Sequence, residues 1–330
     1  MLRWDYVFLL IVIVVLAVAW LVLTRQVENF KDDADTKPSH AIDKDATALD
    51  KDATALDKDA LALDKDATAL DKDPVIAKGG IGIVSMMRKP KDIADWLQHH
   101  RDLGISHFYI RLEDGDDHEK AFFRGQPDVT LEEGASSGVD EYLDIQNRQV
   151  VMVDKYLKAA AKDGVHWLIH IDCDELLECE NLNEIYGLTD DVRTFWMENH
   201  EAVYEDIPRA SDKCFDAAFF RNCADSNSGC VSYINGKPGG RVADDVYCEG
   251  PHRLQSRRNG ARQEKLTTIR LRHYESCDVD MYKRKFKHVA QDAKSDIPFP
   301  YYNESVAAAK KNDDAAMEEV FRKYRVAPKE

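Results

Sequence analysis

The chain has 330 residues, of which 45 are Lys or Arg and 61 are Asp or Glu, so its net charge is −16 near pH 7. This length is typical of one large domain or two modest ones, and a hydrophobic content of 44% excludes a wholly disordered chain. The acidic excess argues against a nucleic-acid-binding protein, because such proteins depend on clustered Lys and Arg.

An uncharged, mostly apolar segment, residues 6–24, follows a short N-terminal tail of residues 1–5. Eighteen consecutive residues of this segment contain neither a charge nor a helix breaker, which predicts a membrane-spanning helix. A cleaved signal peptide is the alternative, with small residues at positions 17–19 as the cleavage site. The apolar run continues beyond those positions, so we expect a retained signal anchor.

Residues 25–74 form an acidic stretch that contains repeats of the heptad DKDATAL and ends at Pro74. Its Ala and Leu residues alternate at spacings of three and four, which is the pattern of a coiled-coil seam. Asp would then occupy both flanking positions of each heptad, so that parallel partner helices would repel each other. We therefore expect an acidic stalk that holds a domain off a membrane and that permits association into a homo-oligomer.

A globular domain is predicted over residues 75–290. Apolar runs predict strands at residues 81–85, 106–112 and 166–171, and amphipathic runs that end at glycine predict helices at residues 91–103 and 144–163. Strands that alternate with helices indicate an α/β fold with a mostly parallel, Rossmann-like sheet flanked by helices.

The last segment, residues 291–330, is predicted to be a helical extension that packs on this domain or caps its edge. Acidic residues follow the second and third strands of the domain, so they should meet at the carboxyl edge of the sheet, where ligands bind in such folds.

Asp172 and Asp174 are the strongest candidates for chemistry. They follow a strongly apolar strand at a spacing of two residues, so both side chains project to the same side. Two converging carboxylates repel each other unless a cation lies between them, and Mg²⁺ or Mn²⁺ commonly links such carboxylates to a diphosphate. The alternative is a polar loop that caps the next helix.

Two longer segments resemble a known enzyme family. Residues 95–110 read DWLQHHRDLGISHFYI, and residues 167–177 read WLIHIDCDELL. They resemble the W-L-x-H-H-x-x-L-G-x-x-H-F-Y-I and W-L-x-H-I-D-x-D-E signatures of family 2-like and family 92-like glycosyltransferases. Shorter similarities to the same family are Arg148-Gln149, Gly236-Lys237, Gly250-Pro-His252 and His273-Tyr274. The resemblance implies a GT-A fold, a nucleotide-sugar donor and a divalent metal, usually Mn²⁺.

The resemblance also implies roles for individual residues. Asp174 would bind the metal directly, Asp172 would face the donor ribose and the metal shell, and His252 would be a third metal ligand or a diphosphate contact. Glu113 or Asp114 would read the nucleoside. The residues expected to bind the donor are together Glu113, Asp114, Arg148, Gln149 and Asp172.

The catalytic base is less well defined by the sequence. An inverting transfer needs a carboxylate within hydrogen-bond reach of the acceptor hydroxyl. Glu198 follows a predicted strand beyond the metal motif, where the family's acceptor loop would fall, and is our candidate. Asp244, Asp245 and Glu249 remain alternatives.

These observations predict an enzyme that transfers a hexose from a nucleotide sugar to a hydroxyl of a glycan or glycoprotein. A catalytically inactive sugar-binding module and a structural membrane protein remain alternatives. A nucleotidyltransferase is disfavoured, because the glycines near residue 80 precede their strand instead of following it.

The predicted topology is a single-pass type II protein with its domain in the Golgi or ER lumen, where clustered cysteines and the sequon at Asn303 would suit the compartment. A domain that faces the cytosol remains open.

Overall fold

The computed structural model describes residues 79–136, 142–223, 234–291 and 299–328. The predicted transmembrane helix and stalk lie outside these ranges. None of the helices within them has the length and apolarity that crossing a bilayer requires.

The described residues form the following strands: β1 (Gly80–Met87), β2 (His107–Glu113), β3 (Val129–Gly134), β4 (Val165–His170), β5 (Glu175–Glu178), β6 (Val192–Met197), β7 (Asn199–Val203), β8 (Phe219–Asn222), β9 (Lys237–Arg241), β10 (Val246–Gly250), β11 (Arg253–Ser256), β12 (Arg262–Lys265) and β13 (Arg270–His273). The helices are α1 (Ile93–Asp102), α2 (Asp117–Arg124), α3 (Tyr142–Ala159), α4 (Asn183–Tyr186), α5 (Val279–Val289), α6 (Pro300–Lys310) and α7 (Asp314–Arg325), and a 3₁₀ turn, Ala160–Asp163, extends α3.

The main sheet of the described residues has seven strands in the order β12-β6-β9-β4-β1-β2-β3. Strands β4, β1, β2 and β3 are mutually parallel, as are β6 and β12, while β9 is antiparallel to both of its neighbours. The expected α/β fold with flanking helices is thus confirmed, and the sheet is mixed. The predicted strands at residues 81–85, 106–112 and 166–171 correspond to β1, β2 and β4, and the two predicted helices correspond to α1 and α3.

A second sheet with the strand order β5-β13-β7-β8 and the two-stranded hairpin β10-β11 complete the β structure of the described residues. These strands have no clear signal in the sequence, because several of them are only four or five residues long. Such strands form through pairing with distant segments, so their local sequence shows little periodicity.

The hydrophobic core lies on both faces of the main sheet. On one face, α3 and the hairpin cover side chains such as Val84, Tyr109 and Leu168. The larger cluster on the other face includes α1, the second sheet and the C-terminal helices, with Phe321 of α7 completely buried. The C-terminal helices therefore share the core of the residues that precede them.

The sheet order reverses between β1 and β4, because β2 and β3 extend the sheet on one side of this pair and β9 and β6 on the other. A crevice at the carboxyl ends of two such strands is the usual ligand site of open α/β sheets. Since β9 runs in the opposite direction, its first residues reach this same edge. The fold therefore brings the residues after β4 next to the start of β9.

Candidate active site

Asp172 lies just beyond β4 and has both carboxylate oxygens engaged by protein groups. Its Oδ2 lies 2.5 Å from the Nζ of Lys237, the first residue of β9. Its Oδ1 accepts a hydrogen bond of 3.1 Å from the Nε2 of Gln149 on α3. The structure thus brings two residues of the predicted donor site together and adds a lysine to which the sequence assigned no role.

Glu175 completes a cluster with Asp172 and Lys237, which we call the Lys237 cluster, and the Asp172 side chain is its one partly exposed member, at 31%. The backbone N–H of Asp172 donates to Glu175 Oε2 at 2.7 Å, and the Lys237 ammonium lies 3.6 Å from that same oxygen. The side chains of Lys237 and Glu175 are 1% and 0% exposed. Burial disfavours the charged form of Asp172, but the Lys237 ammonium outweighs it and holds the pKa of Asp172 below its usual range. Burial raises the pKa of Glu175, and Lys237 only partly opposes this effect.

A glycine allows Lys237 to take this position. Gly236 has a φ of +60°, and a Cβ at this residue would lie 1.8 Å from the carbonyl oxygen of Met197. Any side chain here would therefore combine a left-handed backbone with a direct clash. The close approach of β9 to β6 depends on Gly236, and it brings Lys237 to the carboxyl edge of the sheet.

Asp174 has a different environment from Asp172. Its Oδ2 accepts a hydrogen bond of 3.3 Å from the backbone N–H of Ser276 and lies 3.8 Å from the Nε2 of His273. Its side chain is 17% exposed, less than the 31% of Asp172, and it forms no ion pair with a lysine among the described residues. Burial raises the pKa of Asp174 to about 6, with Glu275 adding to this effect.

Behind Asp174 lies a buried charge network that the sequence did not reveal. Glu275 Oε2 is 3.6 Å from the Nε2 of His273, and Glu275 Oε1 accepts a hydrogen bond of 2.7 Å from the Nζ of Lys285. The guanidinium of Arg325, at the end of α7, lies 3.9 Å from Glu275 and 3.4 Å from Glu201. The C-terminal helix therefore contributes a buried cation to the groups that surround Asp174.

Two histidines border the Lys237 cluster. His252 donates from Nδ1 to the carbonyl of Gly236 at 2.7 Å, and burial, with the nearby Lys237 ammonium, lowers the pKa of His252 to about 4. His170 donates from Nδ1 to the carbonyl of Pro251 at 3.0 Å. Burial lowers the pKa of His170 to about 3, and its buried Nε2 has no hydrogen-bond partner among the described residues. Both imidazoles are therefore neutral at physiological pH.

The predicted metal ligands Asp172, Asp174 and His252 can be tested against this geometry. No set of three or more His, Cys, Asp or Glu side chains within the described ranges is arranged as a metal-binding group. A divalent cation that binds a diphosphate needs only one or two protein carboxylates, because phosphate oxygens and water complete its coordination. Asp174 supplies one such carboxylate, so the residues present fit a cation that is shared with a substrate diphosphate.

The second acidic group lies at the carboxyl end of β2. Glu113 is 2% exposed and accepts hydrogen bonds of 2.8 and 3.0 Å from the guanidinium of Arg148, so these two predicted donor residues bind each other. Asp114 has a φ of 51° and accepts a hydrogen bond of 2.6 Å from the hydroxyl of Ser136, which lowers the pKa of Asp114. Of the two carboxylates Glu113 and Asp114, Asp114 is the more accessible to a ligand.

The candidates for the catalytic base have varied surroundings. Glu198, between β6 and β7, forms an ion pair with Lys265 and is 15% exposed. Asp245 accepts a hydrogen bond of 2.5 Å from Arg193, and this contact lowers the pKa of Asp245. The other two candidates, Asp244 and Glu249, are exposed. Glu249 also forms an ion pair with an arginine of the same hairpin. The choice of Glu198 stays a prediction.

Comparison with known proteins gives partial similarities. A protein from Arabidopsis thaliana named Glycosyltransferase-like is 26% identical over 149 residues, which cover 38% of this chain and 29% of that protein. The chain thus matches less than a third of that relative's length. The similarity supports a glycosyltransferase-like relationship, without distinguishing between family 2 and family 92. No protein-family model matches the chain.

Two solved structures share a weak fold similarity. A 4-diphosphocytidyl-2C-methyl-D-erythritol synthase from Anaerococcus prevotii DSM 20548 has a TM-score of 0.29 and 9% identity, and the match covers 50% of this chain and 71% of that one. HddC from Yersinia pseudotuberculosis has a TM-score of 0.27 and 10% identity, with 49% and 76% of the two chains covered. We draw no argument about this chain from TM-scores this low.

Proposed function

We propose that this protein is a metal-dependent glycosyltransferase with a GT-A-type domain, which transfers a hexose from a nucleotide sugar to a hydroxyl of a glycan or glycoprotein. The observation that carries the proposal is the position of Asp172 and Asp174. They follow β4 at the point where the sheet order reverses, which is where an α/β sheet binds its ligands. The partial similarity to a protein named Glycosyltransferase-like supports the same class of enzyme.

In this proposal the cofactor is Mn²⁺ or Mg²⁺, and Asp174 is its principal protein ligand. Asp172 and His252 would then lie around the metal shell and the diphosphate. When bound, the cation would stabilise the negative charge that develops on the departing nucleoside diphosphate. An acidic domain with a net negative charge also needs such a cation to attract an anionic donor.

The remaining predicted donor residues take more specific roles. Asp114 is the better candidate for direct contact with the nucleoside, because Glu113 is buried against Arg148. We propose that Glu113 fixes the guanidinium of Arg148, and that Gln149 orients Asp172 through its side-chain amide. Glu198 remains the proposed base for an acceptor hydroxyl, and its activation would require the ion pair with Lys265 to open.

The placement of the enzyme is also part of the proposal. The apolar segment of residues 6–24 would anchor the chain as a type II membrane protein, and the acidic stalk of residues 25–74 would carry the domain into the Golgi or ER lumen. A disulfide between Cys214 and Cys277 supports an oxidising compartment. The stalk would also allow association into homo-oligomers.

The proposal is tested by incubating the full-length protein in a non-ionic detergent with a panel of nucleotide sugars. Release of nucleoside diphosphate is measured with Mn²⁺, with a chelator, and in the variant Asp174→Asn. Asp190→Asn is the matched control, because the side chain of Asp190 is 97% exposed. Release that requires both Mn²⁺ and Asp174, and that persists in the control, is the expected result.

Two outcomes would contradict the proposal. Donor cleavage that is unchanged in Asp174→Asn would show that the activity does not use this site. Saturable donor binding without cleavage, even with mixed glycan acceptors, would favour an inactive sugar-binding protein. This second function is considered because Asp172 is already fully engaged by Lys237 and Gln149.

A further inference from the structure

We infer that Lys237 is a positioning residue of the proposed glycosyl-transfer site, and that its buried ammonium, not a divalent metal, balances the charge of Asp172. The inference rests on the proposed function for its link to donor binding, although the ion cluster itself does not depend on it. It gives the two motif aspartates separate partners. Asp172 binds Lys237, and Asp174 is left to bind a metal and a diphosphate.

The Lys237 cluster forms a ring of polar contacts. The ammonium of Lys237 lies 2.5 Å from Asp172 and 3.6 Å from Glu175, and the backbone N–H of Asp172 closes the ring through Glu175. The other oxygen of Asp172 accepts from Gln149. A metal ion that bound Asp172 directly would share an oxygen that already accepts one of these contacts, and it would lie close to the positive charge of Lys237.

Lys237 is almost completely buried. With a side chain that is 1% exposed, Lys237 cannot reach a donor in the crevice, so it acts through the residues that it contacts. Without this cation, the partly exposed Asp172 and the fully buried Glu175 could not both be ionised without repelling each other, and a buried charge without its partner is strongly destabilising. Lys237 is therefore required for Asp172 and Glu175 to lie together at the end of β4.

The direction of β9 and the backbone at Gly236 bring Lys237 to this point. Strand β9 is antiparallel to both of its neighbours, so that its first residue lies where β4 and β6 end. Gly236, with its left-handed backbone and close contact to Met197, permits no other residue type without a shift of the backbone. The local backbone is thus adapted to deliver one lysine into the ring.

This arrangement has a consequence for Asp174. Asp172 and Glu175 flank it in sequence, and the ring ties them together through a backbone and a side-chain contact. The loop of residues 172–175 is therefore fixed from both sides, with the carboxylate of Asp174 outside the ring and bonded to the N–H of Ser276. Lys237 positions Asp174 without touching it at hydrogen-bond distance.

The test measures Mn²⁺ affinity and thermal unfolding of the full-length protein, with uridine diphosphate and guanosine diphosphate as nucleotide probes. The variants are Lys237→Met, Asp172→Asn, Asp174→Asn and the double variant Lys237→Met with Asp172→Asn. We expect Asp174→Asn to weaken Mn²⁺ binding at least tenfold and Asp172→Asn to weaken it less than threefold. Lys237→Met should lower the melting temperature and weaken Mn²⁺ binding.

The double variant keeps the test decisive if Lys237→Met does not fold. Removing both charges should restore the melting temperature and most of the Mn²⁺ affinity, whereas adding Asp174→Asn to Lys237→Met should restore neither. Equal losses of Mn²⁺ affinity in Asp172→Asn and Asp174→Asn, with a stable Lys237→Met protein, would overturn the inference. Rescue of stability in a protein that binds neither Mn²⁺ nor nucleotide would instead overturn the proposed function and retain the ion cluster.

Discussion

The C-terminal helix α7 ends in a buried arginine whose replacement gives a direct test of the charge network. The guanidinium of Arg325 is 1% exposed and lies 3.4 Å from Glu201, 3.9 Å from Glu275 and 4.6 Å from the ring centre of Tyr301. In Arg325→Met, methionine fills most of the space of the apolar part of the arginine side chain, but two buried carboxylates lose a cation. Glu275 keeps Lys285 at 2.7 Å and is the more distant of the two carboxylates from Arg325, so the larger loss of attraction falls on Glu201.

The expected magnitude follows from this difference between the two carboxylates. Removing one partner of a buried ion pair lowers the free energy of unfolding by about 3–5 kcal/mol. Since domains have total stabilities of roughly 5–15 kcal/mol, Arg325→Met should shift the unfolding curve severely. Adding Glu201→Gln removes the carboxylate that lies nearest to the lost guanidinium and should recover about 1–3 kcal/mol of that loss.

The assay is urea unfolding of the full-length protein followed by tryptophan fluorescence, for which the chain offers five tryptophans. Arg322→Met is the matched control on the same helix, because its side chain is 49% exposed and pairs with an exposed aspartate. It should change stability by less than about 1 kcal/mol. A loss below about 1 kcal/mol in Arg325→Met, or no recovery with Glu201→Gln, would refute the reasoning.

Three further predictions concern stability. Replacing Cys214 and Cys277 by alanine should lower the free energy of unfolding by about 2–4 kcal/mol, because their disulfide spans a sequence separation of 63 residues. Asp278→Ala should lower it by about 1–2 kcal/mol more than Asp278→Asn, because only asparagine can keep the α5 cap while both variants lose the ion pair with Lys91, as measured by urea unfolding. Hydrogen bonds from Arg209 and a lysine of α5 lower the pKa of Glu318 to about 2, so the stabilisation should be complete above the ordinary pKa of glutamate and disappear as pH falls towards 2. Comparing Glu318→Gln with the parent protein between pH 7 and pH 2 measures this effect.

Each of these predictions has a result that would contradict it. Unfolding curves that coincide with and without reductant would exclude a stabilising disulfide. Equal losses for the alanine and asparagine variants of Asp278 would show that the cap contributes nothing. A stability difference for Glu318→Gln that persists at pH 2 would mean that the carboxylate charge is not its cause.

The sequence predicted those parts of the fold that depend on local patterns. Strands β1, β2 and β4 are nearly continuous apolar runs, and α1 and α3 are amphipathic segments that stop near Gly104 and Gly164. Asp172 and Asp174 were conspicuous because two carboxylates directly follow a strand that is otherwise apolar. The spacing of apolar side chains is sufficient to predict such elements, because a strand or helix that is buried in or against a parallel sheet must have that spacing.

The remainder of the site depends on contacts between distant segments. Lys237 stands in the segment KPGGR, which has no strand periodicity, and its burial arises from the pairing of β9 with β4 and β6. Arg325 reads in the sequence as an ordinary basic residue at the end of a helix, where a positive charge favours the helix dipole. Nothing nearby in the sequence indicates Glu201 or Glu275, because these carboxylates belong to strand β7 and to the loop after β13.

The central claim is that the end of β4 forms a nucleotide-sugar site in which Asp174 binds a divalent cation. Isothermal titration of the full-length protein with a panel of nucleotide sugars in Mn²⁺ tests this claim most directly, because binding does not require an acceptor. We predict that at least one donor binds, that Asp174→Asn or a chelator weakens this binding at least tenfold, and that Asp190→Asn leaves it unchanged. Failure of every donor to bind, or equal binding by Asp174→Asn and the parent protein, would contradict the claim.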